Sequence, residues 1–126
     1  MEKVCFKTQK GPAAVEPYCT ATIYGGMIFM SGMIGVNPQT GKAPEGGTLA
    51  QAEQVFENIK TVLAELGADT GDVLKTTVFL TNIADFSEVN KLYAEVFGPD
   101  YPARTCVEVS ALPMGLSIEV ECIAKA

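Results

Sequence analysis

The sequence contains no histidine among its 126 residues. This absence excludes Ser-His-Asp triads, Cys-His dyads and histidine-based metal centres, and it removes the side chain that most often serves as a general base. Phosphate-binding signatures such as GxxxxGK[ST], a GxGxxG turn after a strand and a calcium-binding carboxylate run are also missing. Acid–base chemistry near neutral pH must therefore use a carboxylate, a tyrosine, a lysine or water, and we expect neither a cofactor nor a metal.

Basic residues and long apolar runs are scarce as well. Nine Lys and Arg residues stand against fifteen Asp and Glu residues, which gives a net charge of −6. Because binding to a phosphate backbone relies on clustered basic side chains, this balance disfavours a nucleic-acid partner. The apolar stretches are far shorter than a membrane span, and the N-terminus lacks the long apolar segment of a signal peptide. We therefore expect a cytoplasmic protein without a membrane partner.

The four cysteines are widely spaced and include no CxxC pair, so their spacing indicates neither a zinc site nor a redox motif. We expect them to be buried, reduced thiols, with Cys106 set apart by its position beside an arginine. A chain of this length predicts one domain over residues 1–126, large enough to bury a core without disulfide or metal support. The cysteines are Cys5, Cys19, Cys106 and Cys122.

Apolar periodicity and turn residues predict the order βββ-α-β-α-ββ. Gly25 and Gly26 separate two β-rich runs and indicate a two-residue hairpin turn. The first helix is expected to start with a capping box at Thr48 and to end at Gly67. The second helix is expected to follow Asp85 or Ser87 and to stop before Gly98-Pro99. The predicted strands are residues 4–8, 20–24, 27–31, 73–81, 105–109 and 116–123.

This order predicts a two-layer α+β domain in which two helices cover one face of a mixed sheet. The helices have too little surface to cover every apolar strand position, including those at Val107, Val109 and Ile118. An apolar sheet face left open predicts burial against another copy of the chain. We therefore expect a closed homo-oligomer.

The last two predicted strands bring charged residues into an apolar context. If they form a direct antiparallel hairpin, Arg104 lies opposite Glu121 and Cys106 opposite Glu119, and all four share a face with Glu108. Taken alone, this pattern favours a structural cross-strand charge pair. An arginine can, however, hold a substrate carboxylate by two parallel hydrogen bonds. A glutamate desolvated at a subunit interface would also have a raised pKa and could exchange a proton with water near neutral pH.

Five ordered segments covering essentially the whole chain resemble the RidA family, also called YjgF-like. Two positions depart from the family pattern: Met33 stands where glutamine is usual, and Thr105 where serine is frequent. The matching segments are GPAAVEPY at residues 11–18, FMSGMIG at 29–35, LKTTVFL at 74–80, FSEVN at 86–90 and PARTCVEVSALPMGLSIEVECIA at 102–124.

This resemblance implies a homotrimer of a chorismate-mutase-like fold with active sites between subunits. It implies hydrolytic deamination of reactive 2-imino and enamino acids, namely 2-aminoacrylate, 2-iminopropanoate and 2-iminobutanoate, to 2-oxo acids and ammonia. By the same resemblance Arg104 holds the substrate carboxylate with help from the backbone N–H of Cys106. Glu119 would activate the attacking water and shuttle its proton. The expected pocket lining is Tyr18, Ser31, Gly32 and Asn90.

Structural roles are the alternative for the lining residues: Tyr18 could pack at an interface, Ser31 could end a strand, and Asn90 could bridge backbone groups. Two other functions for the protein also stay open. One is a regulatory trimer that binds 2-oxo acids without turnover, and the other is an endoribonuclease or translation inhibitor. The presence of both Arg104 and Glu119 favours the enzyme, because a carboxylate binder needs only the arginine. The acidic charge and the missing aromatic-basic strip disfavour RNA.

Overall fold

A computed structural model describes residues 2–126, and across them it has six strands in one mixed sheet with two helices packed on one face. The α+β order βββ-α-β-α-ββ predicted from the sequence is confirmed. The strands are β1 Val4–Phe6, β2 Ala21–Tyr24, β3 Met27–Ile34, β4 Val73–Leu80, β5 Ala103–Glu108 and β6 Ile118–Lys125. The helices are α1 Gly47–Glu65 and α2 Phe86–Phe97. We call the helix-covered side of the sheet the inner face and the opposite side the outer face.

The turn between β2 and β3 is the two-residue hairpin that the glycine pair predicts. Tyr24 pairs with Met27, and the two intervening residues have φ angles of 59° at Gly25 and 77° at Gly26. Glycine adopts these positive angles without the steric cost that a side chain would add. This part of the register therefore follows directly from the local sequence.

The start of α1 differs from the prediction. The helix begins at Gly47, and its first turn has no side-chain cap. The Thr48 hydroxyl donates instead to the Asp85 carboxylate at 2.8 Å, and the Gln51 side-chain oxygen accepts the backbone N–H of Ser117 at 2.8 Å. The expected capping box is wrong because these polar groups connect α1 to the segments that precede α2 and β6.

The end of α1 and its apolar stripe agree with the prediction. Gly67 has a φ of 75° just beyond the helix, as expected of a C-terminal glycine. Phe56 contacts Tyr93 and Phe97 of α2 edge-on, with ring centroids 6.0 and 5.7 Å apart, a geometry that aromatic quadrupoles favour. The buried residues of α1 are Ala52, Val55, Phe56, Asn58, Ile59, Val62 and Leu63.

The predicted direct hairpin between β5 and β6 is wrong. The strand order is β1-β2-β3-β6-β4-β5, so β6 lies between β3 and β4 and is antiparallel to both. Strand β5 pairs in parallel with β4 at the edge of the sheet. The connection from β5 to β6 crosses the end of β4, where Val109 N–H donates to the carbonyl of Leu80 and Thr81 N–H donates to the carbonyl of Ser117. Strands β5 and β6 therefore both pair with β4 and do not pair with each other.

This topology sends the two predicted catalytic side chains to opposite faces. Arg104 is in register with Thr76, whose buried side chain faces the helices. Glu119 is in register with Phe79 on the outer face. Arg104 and Cys106 do share a face with Glu108, as predicted, but Glu119 and Glu121 do not join them.

Apolar and charged residues are mixed on the outer face, and no element among residues 2–126 covers it. Phe29 is 42% exposed and Val107 is 38% exposed, although both are large and apolar. The alternation of the strands also places Thr22, Tyr24, Lys75, Thr77, Phe79, Thr105, Glu119, Glu121 and Ile123 on this face.

The expectation of four reduced thiols is wrong for one pair. Cys5 and Cys19 form a disulfide, with their Cα atoms 5.5 Å apart, whereas Cys106 and Cys122 are free. Because β1 pairs with β2, Cys5 is opposite Thr22, and the residues just before β2 are brought beside β1. The spacing of 14 residues gives no local signal of this contact.

We expect the double substitution Cys5→Ser with Cys19→Ser to lower the free energy of unfolding by about 3 kcal/mol, because the bond closes a short loop of the unfolded chain. Urea unfolding without reductant measures this change. Adding dithiothreitol should destabilise the wild type to a similar extent and leave the double variant unaffected. Equal stability of wild type and variant in non-reducing urea would contradict the prediction.

Candidate active site

The predicted site residues fall into two groups on one chain. The arginine half-site consists of Arg104, Asn90 and Cys106 and lies on the inner face at the edge strand β5. The glutamate half-site consists of Glu119, Gly32, Ser31 and Tyr18 and lies where β6, β3 and the loop before β2 meet. The structure brings the members of each group together but keeps the two groups apart, since the sheet separates Arg104 from Glu119.

In the arginine half-site, α2 supports an exposed guanidinium group. Arg104 Nη1 donates to Asn90 Oδ1 at 2.7 Å. The guanidinium carbon lies 4.6 Å from the ring centroid of Tyr93 and 5.1 Å from that of Phe86. The guanidinium has five N–H donors, and the bond to Asn90 uses one of them, so the planar fork can still bind a carboxylate by two bonds.

A cleft of about 420 Å³ opens beside this arginine, and Tyr101 and Pro102 line it together with Asn90, Tyr93 and Arg104. Tyr93 and Phe86, which were not among the predicted site residues, belong to the surroundings of Arg104. Their spacing from Asn90, four residues before and three after, places all three on one helical face. That spacing was the signal that could have identified them.

Cys106 offers a backbone donor rather than a reactive thiol. Burial raises the pKa of its thiol, and the positive charge of Arg104 opposes this rise only in part. The thiol is therefore protonated at neutral pH. Val109 donates its N–H to Leu80 across the β4–β5 pair. Since N–H groups alternate in direction along a strand, that of Cys106 points away from β4 to the open edge, beside Arg104.

In the glutamate half-site, the Glu119 side chain lies against the backbone of β3. Strand β3 has a register shift between Met30 and Met33, and Gly32 lies within it. A methyl group on Gly32 would overlap the Glu119 carboxylate, so the glycine permits the close approach of this side chain. Burial raises the pKa of the Glu119 carboxyl, and the negative charge of Glu121 raises it further.

Ser31 and Tyr18 lie beside Gly32, the residue that contacts this carboxylate. The Ser31 hydroxyl donates to the carbonyl of Cys19 at 2.7 Å, which ties β3 to the loop that carries Tyr18. Tyr18 is 45% exposed, and it lines a cavity of about 510 Å³ together with Ser31 and Gly32. Met33, the departure from the family pattern, is 5% exposed and belongs to the hydrophobic core, although it borders the cavity.

Among residues 2–126, no group of three or more Cys, Asp or Glu side chains is arranged to hold a metal ion. No helix in the same range has the length and apolar character needed to cross a membrane.

Known proteins share this fold and these motifs. The family model described as Endoribonuclease L-PSP matches residues 8–126. A RutC family protein of Pyrococcus abyssi is 44% identical over 124 residues, which are 98% of each chain. The 2-iminobutanoate/2-iminopropanoate deaminase of Escherichia coli K12 is 43% identical over 120 residues, 93% of each chain. The crystal structure of the Rid family protein YyfA from Yersinia pestis superposes with a TM-score of 0.95 at 42% identity, covering 99% of this chain and 100% of that one.

The chain is an α+β sheet that carries an exposed arginine on one face and a half-buried glutamate on the other. The chain belongs to the Rid family of enzymes, also called YjgF-like, as its motifs predict.

We expect Glu119 to titrate at a higher pH than an exposed glutamate, and Glu121→Gln to lower its pKa. The substitution removes the repulsion by the neighbouring charge, whereas the larger effect of burial remains. Titration of the side-chain carboxyl followed by NMR measures both values. Glu57→Gln, which removes an exposed charge from α1 on the other side of the sheet, should leave the Glu119 pKa unchanged. A Glu119 pKa that does not move in Glu121→Gln would contradict this account.

Proposed function

We propose that this chain, as a single RidA-like domain, hydrolyses reactive 2-imino acids and their enamine tautomers to 2-oxo acids and ammonia. The observation that carries the proposal is the pair of half-sites: an arginine with free donors beside a cleft, and a separate glutamate of raised pKa against Gly32, which lines a cavity. A relative named for this reaction is 43% identical over 93% of the chain, which supports the same chemistry here.

We further propose that the two half-sites meet between subunits of a homotrimer. Two different patches of one chain have to face each other, and a head-to-tail contact of this kind produces a closed ring when its rotation closes. The uncovered apolar residues of the outer face, such as Phe29 and Val107, supply surface for such a contact. Each site would then take Arg104 from one subunit and Glu119 from the next.

In this assembly the substrate carboxylate binds the Arg104 fork and the backbone N–H of Cys106, which fixes the position of the imine carbon. The ionised Glu119 accepts a proton from water as the water oxygen bonds to that carbon. The proton then passes to the nitrogen of the tetrahedral intermediate. The C–N bond breaks, ammonia leaves with the electron pair, and Glu119 accepts the hydroxyl proton as the 2-oxo acid forms. Transfer of that proton to ammonia restores the carboxylate, so one protonated imine and one water yield one oxo acid and one ammonium ion.

The residue inventory suits this reaction. A protonated imine is already electrophilic, so its hydrolysis needs a positioned water and a proton acceptor rather than a nucleophilic side chain. A raised pKa brings Glu119 closer to the working pH, where a carboxylate both accepts and returns protons efficiently. The Cys106 thiol, held protonated by burial, is not required as a nucleophile.

We also propose that the protein works in the cytoplasm. The resemblance to the RidA family implies imines that pyridoxal-phosphate-dependent dehydratases release, and a short-lived imine must be hydrolysed where it forms. The Cys5–Cys19 disulfide bears on this proposal, since such bonds are uncommon in a reducing cytosol. Alkylation of free thiols at the moment of cell lysis distinguishes a reduced Cys5 and Cys19 pair from a disulfide. A cytoplasmic protein should carry this pair largely reduced in the cell, and a fully formed bond would contradict the proposed compartment.

A coupled assay tests the activity. A threonine dehydratase generates 2-iminobutanoate, and the release of 2-oxobutanoate is followed with and without the protein. We expect Arg104→Ala to lower kcat/KM by roughly 10- to 100-fold, because charge-assisted bonds to the carboxylate are lost. We expect Glu119→Gln to lower kcat by about 100-fold or more, because the proton acceptor is lost.

Lys60→Ala is the control for Arg104→Ala, and Glu57→Gln is the control for Glu119→Gln. Each removes an exposed charge of the same sign from α1, and both should retain wild-type rates. The deaminase proposal fails if the wild type does not accelerate release over the spontaneous rate. Calorimetric binding of 2-oxobutanoate without acceleration would support a regulatory binding protein instead. Full activity of Arg104→Ala would reject the site assignment while leaving the reaction itself standing.

A further inference from the structure

The side chain of Arg104 rests on an aromatic surface that its role as a carboxylate binder does not by itself require. The guanidinium carbon is 4.6 Å from the Tyr93 ring centroid and 5.1 Å from that of Phe86. Both distances are within the range at which an aromatic face attracts a guanidinium. Asn90, on the same face of α2, accepts one N–H at 2.7 Å. One helix therefore contacts the guanidinium at three points.

Tyr93 is itself held rigidly from the sheet side. It is 4% exposed, and its hydroxyl shares a 2.6 Å hydrogen bond with that of Thr76, which is fully buried on β4. Its ring lies 4.6 Å from that of Phe97 and 6.0 Å from that of Phe56. Thr76 is also the register partner of Arg104 in the β4–β5 pair. The ring beneath the guanidinium is thus fixed to the strand beside the arginine's own.

Arg104 needs such support because of its location. It lies on an edge strand and is exposed, and an arginine side chain has many rotamers to lose when it binds a ligand. A ring that stacks on the guanidinium plane restricts those rotamers and leaves the N–H edge free for a carboxylate. Ordering the arginine before the ligand arrives lowers the cost of binding.

We propose that Tyr93 is a positioning residue, whose ring, fixed by Thr76 and completed by Phe86, holds the Arg104 guanidinium ready for a 2-oxo or 2-imino acid carboxylate. The kinetic consequence rests on the proposed deaminase function. The binding consequence does not, because it concerns only recognition of the carboxylate.

The test compares Tyr93→Leu with Phe97→Leu. Both remove a buried ring from the same aromatic cluster, but the contacts of Phe97 are with Phe56 and Tyr93. The readouts are the Kd for 2-oxobutanoate, by calorimetry or by NMR titration where binding is weak, and the KM and kcat of the coupled assay. We expect Tyr93→Leu to raise Kd and KM roughly tenfold, as loss of a stacked cation contact suggests. The kcat should change little, and Phe97→Leu should raise Kd much less than Tyr93→Leu despite a similar loss of thermal stability, because Phe97 contacts Tyr93 but does not lie under the guanidinium.

Two further variants separate positioning from general damage to the core. Tyr93→Phe keeps the ring and should keep most of the affinity. In an Arg104→Ala background, Tyr93→Leu should have no further effect on Kd, because the residue acts through the arginine. If Tyr93→Leu does not fold, Phe86→Leu at the half-buried edge of the same surface replaces it and should raise Kd in the same direction.

Equal increases of Kd in Tyr93→Leu and Phe97→Leu would overturn the inference, as would an undiminished effect of Tyr93→Leu when Arg104 is absent. The two proposals fail separately. Wild type that binds 2-oxobutanoate without turnover rejects the deaminase but leaves the positioning role measurable by Kd. Normal turnover with an unchanged Kd in Tyr93→Leu rejects the positioning role alone.

Discussion

Strand β6 pairs with β3 on one side and with β4 on the other, and the arrangement of the site depends on this double pairing. Its alternating residues put Ile118 and Val120 into the core and leave Glu119 on the outer face. With β6 on one side of β4, β5 pairs with the other side. Arg104 then faces α2, and the sheet lies between Arg104 and Glu119.

The consequences of that separation differ for the two charges. Glu119 lies against Gly32 in a partly desolvated position, where burial and Glu121 favour its protonated form. Arg104 stays exposed at the edge, where the face of α2 holds it without a carboxylate partner. Neither charge neutralises the other within the chain, so each remains available to a substrate and to a second copy. Under the proposed function, such a site is complete only after association, a proposal that the uncovered outer face supports.

Local sequence patterns predicted the elements well and their long-range pairing poorly. The glycine pair set the β2–β3 turn, and the apolar stripe of α1 with Gly67 set the helix and its end, because these depend on neighbouring residues. The predicted capping box at Thr48 is wrong because the Thr48 hydroxyl donates to Asp85, which lies 37 residues away in the sequence. The Cys5–Cys19 bond was missed for the same reason, since strand pairing rather than spacing brings the two together.

For the candidate site as well, local patterns were informative and the long-range arrangement was not predicted. Family motifs predicted Arg104, Glu119 and the lining residues as the site, and the structure places these residues in two separate groups. A hairpin register predicted both charges on one face, and it was wrong because a nine-residue connection can cross β4 as readily as it can reverse. The contact between the Arg104 guanidinium and the Tyr93 ring was also not predicted, because the sequence position of a tyrosine in a helix does not show which side chain of another strand packs on its ring.

The central claim is that one site needs Arg104 and Glu119 from different chains, and subunit mixing tests it most directly. Arg104→Ala and Glu119→Gln chains, each nearly inactive alone, are mixed in equal amounts, allowed to exchange subunits, and assayed for 2-iminobutanoate hydrolysis. Random assembly gives each site an intact arginine and an intact glutamate in about a quarter of cases, so about a quarter of wild-type activity should return. A mixture that stays inactive, although native mass spectrometry shows mixed oligomers, would contradict a site shared between subunits.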